Sequence, residues 1–170
     1  MKKRIRNKLK KRYREEWVRA IYEGQFRKVN QLIRSESDAN TNDDEGWTPL
    51  HWATQECHIE IIQFLLSMRA NINARDNNGF SPLYQAASEG HKDLVEFLIN
   101  NGAEIDIKSN YGTTPLIIAS IYGHLETVKY LVENGADVNI EEDEGNTALS
   151  YAEQYGNDQV ALFLREKGSK

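Results

Sequence analysis

Four glycines, Gly46, Gly79, Gly112 and Gly145, stand 33 residues apart. Self-similarity at such a period confines a chain to a stacked-repeat architecture before any residue is considered singly. The surroundings of these glycines align without a gap. Gly46 leads into Trp47-Thr48-Pro49-Leu50-His51-Trp52-Ala53, and Gly79 into Phe80-Ser81-Pro82-Leu83-Tyr84-Gln85-Ala86. Gly112 leads into Thr113-Thr114-Pro115-Leu116-Ile117-Ile118-Ala119, and Gly145 into Asn146-Thr147-Ala148-Leu149-Ser150-Tyr151-Ala152. In each case a hydroxyl residue (Thr48, Ser81, Thr114, Thr147) stands where it caps a helix through its side-chain oxygen. Proline follows in three of the four, at the first helical position, where its missing N–H costs nothing. A second segment such as Leu94-Val95-Glu96-Phe97-Leu98-Ile99 carries an apolar stripe at helical spacing. Gly102 and Gly135 then suit a left-handed helix end. Each period therefore predicts two short helices and a turn. No such unit buries its apolar faces alone, so stability has to come from stacking on neighbours.

The repeated residues, together with Gly90-His91, Gly123-His124, Gly102-Ala103-Glu104-Ile105-Asp106 and Gly135-Ala136-Asp137-Val138-Asn139, closely resemble the ankyrin repeat. The frame also extends backwards: Ala20 and Gly24 precede Ala53 and Cys57 by 33 residues, and Ser37-Asp38-Ala39-Asn40 falls where a repeat would close. The expected fold is all-α, an ankyrin-repeat solenoid of helix-turn-helix units with turn or hairpin tips. A basic segment, 1–14, precedes the repeat domain, 15–170. Within it a degenerate repeat occupies about 15–42, full repeats 43–75, 76–108 and 109–141, and a truncated one 142–168. Cys57 takes the place that Gly24, Gly90, Gly123 and Gly156 hold elsewhere. If that place requires positive φ, the cysteine costs roughly 1 kcal/mol.

Composition narrows the function. Residues 1–14 hold nine Lys/Arg and no acid, whereas the rest of the chain holds twelve basic and all 26 acidic side chains. An acidic body discourages contact with nucleic-acid phosphates, which needs Lys and Arg. No apolar run approaches a membrane span, and the basic start leads into no apolar stretch of a secretory signal. With a single cysteine, Cys57, no internal disulfide forms, and a reducing compartment is expected: the cytoplasm, with the nucleus open if the host is eukaryotic. Nothing resembles a catalytic site. His58-Ile59-Glu60 lacks the Cys-x-x-Cys that would complete a deaminase zinc site. His51, His91 and His124 fall where the resemblance implies structural hydrogen bonding, and no zinc-ligand set converges. No enzyme activity, cofactor or metal is expected, and a monomer is.

In the ankyrin family, partners dock on the turn tips and first helices, which form a concave face. By position this implies a protein-binding site at Asp44, Glu45, Trp47, Trp52 and Glu56 in the second repeat, and Phe80 and Glu89 in the third. The fourth supplies Tyr111, Ile121 and Tyr122, and the fifth Glu144, Tyr151 and Tyr155. Helix packing does not demand large aromatics at most of these places, and Trp and Tyr dominate binding hot spots. Some of these rings have an alternative role, packing against their own turns. The acidic rim predicts a partner that is locally basic, and the site implies an adaptor or an inhibitor. Truncating Trp47 or Tyr122 is expected to cost binding but not folding. The basic segment has three readings: an arm for nucleic acid or anionic membrane, an import-type cluster at Lys11-Arg12-Tyr13-Arg14, or a helical extension on which Ile5, Leu9, Tyr13 and Trp17 trace one face.

Overall fold

The computed structural model describes residues 15–168. The basic segment, and the three readings attached to it, lie outside the described residues apart from Trp17. That side chain is completely buried. The described chain is built of helices and turns, with no residue in a β-strand. Its contacts divide it into two compact units, separated between Asn71 and Ile72.

The N-terminal unit holds helix α1 (helical over 15–22), α2 (Phe26–Leu32), the one-turn α3 (Glu36–Ala39), α4 (Pro49–Gln55) and α5 (Ile59–Ser67). The C-terminal unit holds α6 (Pro82–Ser88), α7 (Lys92–Asn100), α8 (Pro115–Ile121), α9 (Leu125–Glu133), α10 (Ala148–Gln154) and α11 (Asp158–Glu166). In the C-terminal unit each seven-residue first helix packs on its own nine-residue second helix, and α6, α8 and α10 pack side by side. The second helices α7, α9 and α11 form the neighbouring layer. Paired helices stacked in an ankyrin arrangement are thus what the residues form.

The local causes are visible at each boundary. Ser81 Oγ accepts the Tyr84 N–H at 3.1 Å, Thr114 Oγ1 that of Ile117 at 3.3 Å, and Thr147 Oγ1 that of Ser150 at 3.3 Å. Each bond satisfies a donor that the first turn leaves unpaired. Where the repeat carries His51 or Ser150, that side chain reaches back to the cap. His51 Nδ1 accepts the Thr48 N–H at 3.1 Å, and Ser150 Oγ that of Thr147 at 2.8 Å, which closes a capping box. The core repeats with the period. Leu65, Leu98, Leu131 and Leu164 are fully buried, one per second helix, and Ala53, Ala86, Ala119 and Ala152 keep the first helices small where they meet them. Each such leucine contributes roughly 1.5–3 kcal/mol.

Adjacent repeats are also tied by polar bonds from one second-helix entry to the previous first-helix exit. His124 donates from Nε2 to the Ser88 carbonyl at 2.9 Å, and Asn157, in the same place, donates to the Ser120 and Ile121 carbonyls at 2.8 and 2.9 Å. In the N-terminal unit His58 Nε2 lies 3.5 Å from the Tyr22 carbonyl. His91, at the entry to α7, is exposed. The histidines His51 and His124 therefore hold structural positions.

Candidate functional site

The turns that carry the predicted tip residues are closed by one device. Asp43, Asp76, Ser109 and Glu142, again 33 residues apart, each accept the backbone N–H groups two and four residues later. These bonds run from 2.8 to 3.2 Å. A backbone bond then shuts each loop, as from Ser109 N to the Thr113 carbonyl at 2.9 Å. In the C-terminal unit the tips also bond to one another: Asn110 N donates to the Asn78 carbonyl at 2.9 Å, and Asp143 N to that of Tyr111 at 3.2 Å. Burial alone pushes the Glu142 carboxyl up. Hydrogen bonds from the N–H groups of Asn146 and Glu144 and from the Asn146 and Tyr151 side chains more than offset it, leaving the group below the ordinary glutamate value. These tip acceptors escaped the sequence reading, although the same 33-residue period would have exposed them.

On this frame the predicted residues separate into two groups. Asp44, Glu45, Glu89, Tyr111, Tyr122, Glu144 and Tyr155 are exposed, whereas Trp47, Trp52, Glu56, Phe80, Ile121 and Tyr151 are half-buried. The buried group is largely occupied with the protein itself. Trp47 and Trp52 pack ring against ring at 5.0 Å, and Trp52 Nε1 donates to Asp43 Oδ2 at 2.8 Å. Phe80 stacks flat on Tyr84 at 4.3 Å. The Tyr151 ring lies 6.3 Å from the Tyr155 ring and stacks on it. The expectation that truncating Trp47 spares folding is corrected by these contacts: its ring braces the tip and first helix of its own repeat.

The exposed group belongs mainly to the C-terminal unit. Tyr111, Tyr122 and Tyr155 keep 54%, 59% and 57% of their surface open. Tyr111 sits at a tip, where its hydroxyl donates to Asn78 Oδ1 at 3.4 Å. Tyr122 and Tyr155 are the C-cap residues of α8 and α10, and Glu89 is that of α6. The three therefore form one row across adjacent first helices. One helical turn earlier, Gln85, Ile118 and Tyr151 form a second row, more deeply set. Burial pushes the Tyr84 and Tyr151 phenols up, against smaller lowering hydrogen bonds from Thr113 and Asn146 respectively, so both stay neutral hydroxyls.

The charges on this face are of one sign. Residues 72–170 carry seven Lys/Arg against sixteen Asp/Glu, and none of the seven lies in the first-helix segments 80–91, 113–124 or 146–157. Lys92 pairs with Glu96, Lys129 with Glu126, and Arg165 with Glu153. Arg75 reaches Asn110 Oδ1, and Lys108 donates to the Glu141 carbonyl. No group of three or more His, Cys, Asp or Glu placed to hold a metal occurs among the described residues. Among those same residues no helix is long and apolar enough to cross a membrane.

Comparison with known proteins agrees with this architecture. The family model described as ankyrin repeats (3 copies) matches residues 17–109 and 103–170. The chain is 41% identical over 51 residues to the 2-5A-dependent ribonuclease of Mus musculus, a stretch that is 29% of this chain and 7% of that protein. It is 40% identical over 48 residues to ankyrin repeat domain-containing protein 40 of Mus musculus and of Homo sapiens, covering 28% of this chain and 13% of each of theirs. The aligned stretches thus span a small part of these relatives' length.

Proposed function

Because the chain belongs to the ankyrin-repeat family, we propose that it is a protein–protein interaction module, an adaptor or an inhibitor that binds its partner without catalysing a reaction. One observation carries this reading. Tyr122 and Tyr155 cap adjacent first helices in one register and stand more than half exposed. Aromatic area held out on a rigid frame binds with little loss of side-chain entropy, which is why tyrosine is enriched among hot spots. The surrounding acids Glu89, Glu144 and Asp143 favour a locally basic partner and speed its approach.

The test is affinity capture from the native cell with the wild-type chain and a Tyr122→Ala variant side by side. A partner retained by the wild type and lost with the variant is the expected result, since truncating a central aromatic costs ~2 kcal/mol or more. If the variant captures the same protein undiminished while deletion of residues 2–12 abolishes capture, the tyrosine face is not the site. Binding through the basic segment, to nucleic acid, anionic membrane or protein, would then take its place, and its steep salt dependence would identify phosphate contacts.

A further inference from the structure

The first-helix face of the C-terminal unit is specific in what it lacks: among the described residues it has acceptors, π-faces and negative charge, and no Lys or Arg. From this we infer that it takes an extended, arginine-bearing segment of the partner, lying across α6, α8 and α10 with an arginine at every third position. The inference rests on the interaction-face reading above and names the chemistry that face recognises.

Three observations lead to it. The first is register. Glu89, Tyr122 and Tyr155 end three first helices that pack side by side, and packed helices lie about 8–10 Å apart. A polyproline-II segment repeats every three residues, about 9 Å at 3.1 Å per residue. Side chains at positions i, i+3 and i+6 of such a segment therefore meet the three residues in turn. The second is chemistry. Among the described residues Glu89 forms no ion pair, and the Tyr122 and Tyr155 rings, which neighbour His124 at 6.1 Å and Tyr151 at 6.3 Å, stay more than half exposed with no Lys or Arg over them. A guanidinium pairs with the first and stacks on the other two, which an ammonium does less well because it is compact and strongly hydrated. The third is an unmet acceptor. Gln85, 8% exposed in the deeper row, has an Oε1 that accepts no hydrogen bond and is itself closed to solvent, so a turn of this side chain toward the face would offer it to one of arginine's five donors.

The test uses the full chain and three fluorescein-labelled ten-residue proline peptides of equal charge, read by fluorescence anisotropy at 150 mM salt (about physiological ionic strength). One carries arginine at its second, fifth and eighth positions, one carries lysine there, and one carries its three arginines consecutively. The spaced-arginine peptide is expected to bind at least about fivefold more tightly than either control, about 1 kcal/mol at 0.59 kcal/mol per RT. Tyr122→Ala should remove that advantage and Tyr122→Phe, which keeps the ring, should retain it. Gln85→Met, which deletes the orphaned carbonyl at similar volume, should raise the melting temperature and weaken the spaced peptide severalfold. Equal binding of all three peptides would show that only net charge is read and would overturn the inference. So would the absence of binding by any peptide. A photo-cross-linker at position 122 that still captured the native partner in that case would leave the interaction-face reading standing on its own.

Discussion

A Cβ built on Gly90 would lie 2.5 Å from His124 Nδ1, and one on Gly123 would lie 2.5 Å from Asn157 Oδ1, whereas at Gly102 and Gly135 it would meet nothing within 4 Å. All four glycines have positive φ, so the two places in the repeat differ in space rather than in conformation. Gly102→Ala should cost about 1 kcal/mol, the conformational penalty alone. Gly90→Ala should cost about 2–3 kcal/mol in thermal melts, because the His124 ring must also move and give up its bond to Ser88. Equal losses would show that the ring yields freely. The N-terminal unit contains the complementary case. Cys57 and Arg69, at φ 53° and 62°, are the non-glycine residues with positive φ among those described, and Cys57→Gly and Arg69→Gly should each stabilise by about 0.5–1 kcal/mol. A loss of stability in either would mean that the side chain contributes packing that outweighs the strain. The Cys57 departure was legible in the sequence because Gly24, Gly90, Gly123 and Gly156 mark its column. Arg69 is offset by the same period from Gly102 and Gly135, yet the unit closes on Ala70-Asn71 with no glycine to draw attention to it.

Among the elements, the turns carry the pH dependence. Glu142 is held below its ordinary pKa by the tip hydrogen bonds, so its contribution is present above the unfolded value of about 4.3 and is lost as pH falls through the lower folded value. Glu142→Ala should cost about 1.5–3 kcal/mol at neutral pH, the range for bonds to a charged acceptor, and much less at pH 2. Asp106 has the opposite sign. Asn40 and Asn73 each accept a backbone N–H of the next repeat, from Asn71 at 2.7 Å and from Glu104 at 2.9 Å. Asp106 does the same for Asp137 at 3.2 Å. Burial pushes Asp106 up, the Asp137 bond draws it down, and the Asp137 charge raises it further, with a net upward shift. A raised carboxylate weakens the fold above its folded pKa, and the penalty fades as pH falls from there to the unfolded value. Asp106→Asn should therefore stabilise by about 0.5–1 kcal/mol at pH 7, with the difference shrinking as acid protonates the wild-type aspartate. A stabilisation that persists unchanged at pH 3 would place its origin outside the charge. The helices were legible because their caps, prolines and apolar stripes are local signals. The tip acceptors were less so, since Asp, Ser and Glu share one task and no single residue type marks it.

For the molecule as a whole, the period made the architecture readable, while the binding face was readable only in part. Tyr111, Tyr122 and Tyr155 stand out in the sequence because their column demands no aromatic, and the fold leaves them exposed. Trp47 and Trp52 stand out for the same reason and are half-buried, because their mutual packing and the bond to Asp43 depend on a turn geometry that spacing does not encode. The central claim is that partners contact the first-helix ends of the C-terminal unit. It is tested most directly by placing a benzophenone photo-cross-linking residue in the full chain at position 122, and separately at Leu162, which is equally exposed on the second helix α11. Irradiation in the native cell should give a protein adduct from position 122 and none from 162. An adduct from 162 with none from 122 would contradict the account and move the binding surface to the second helices.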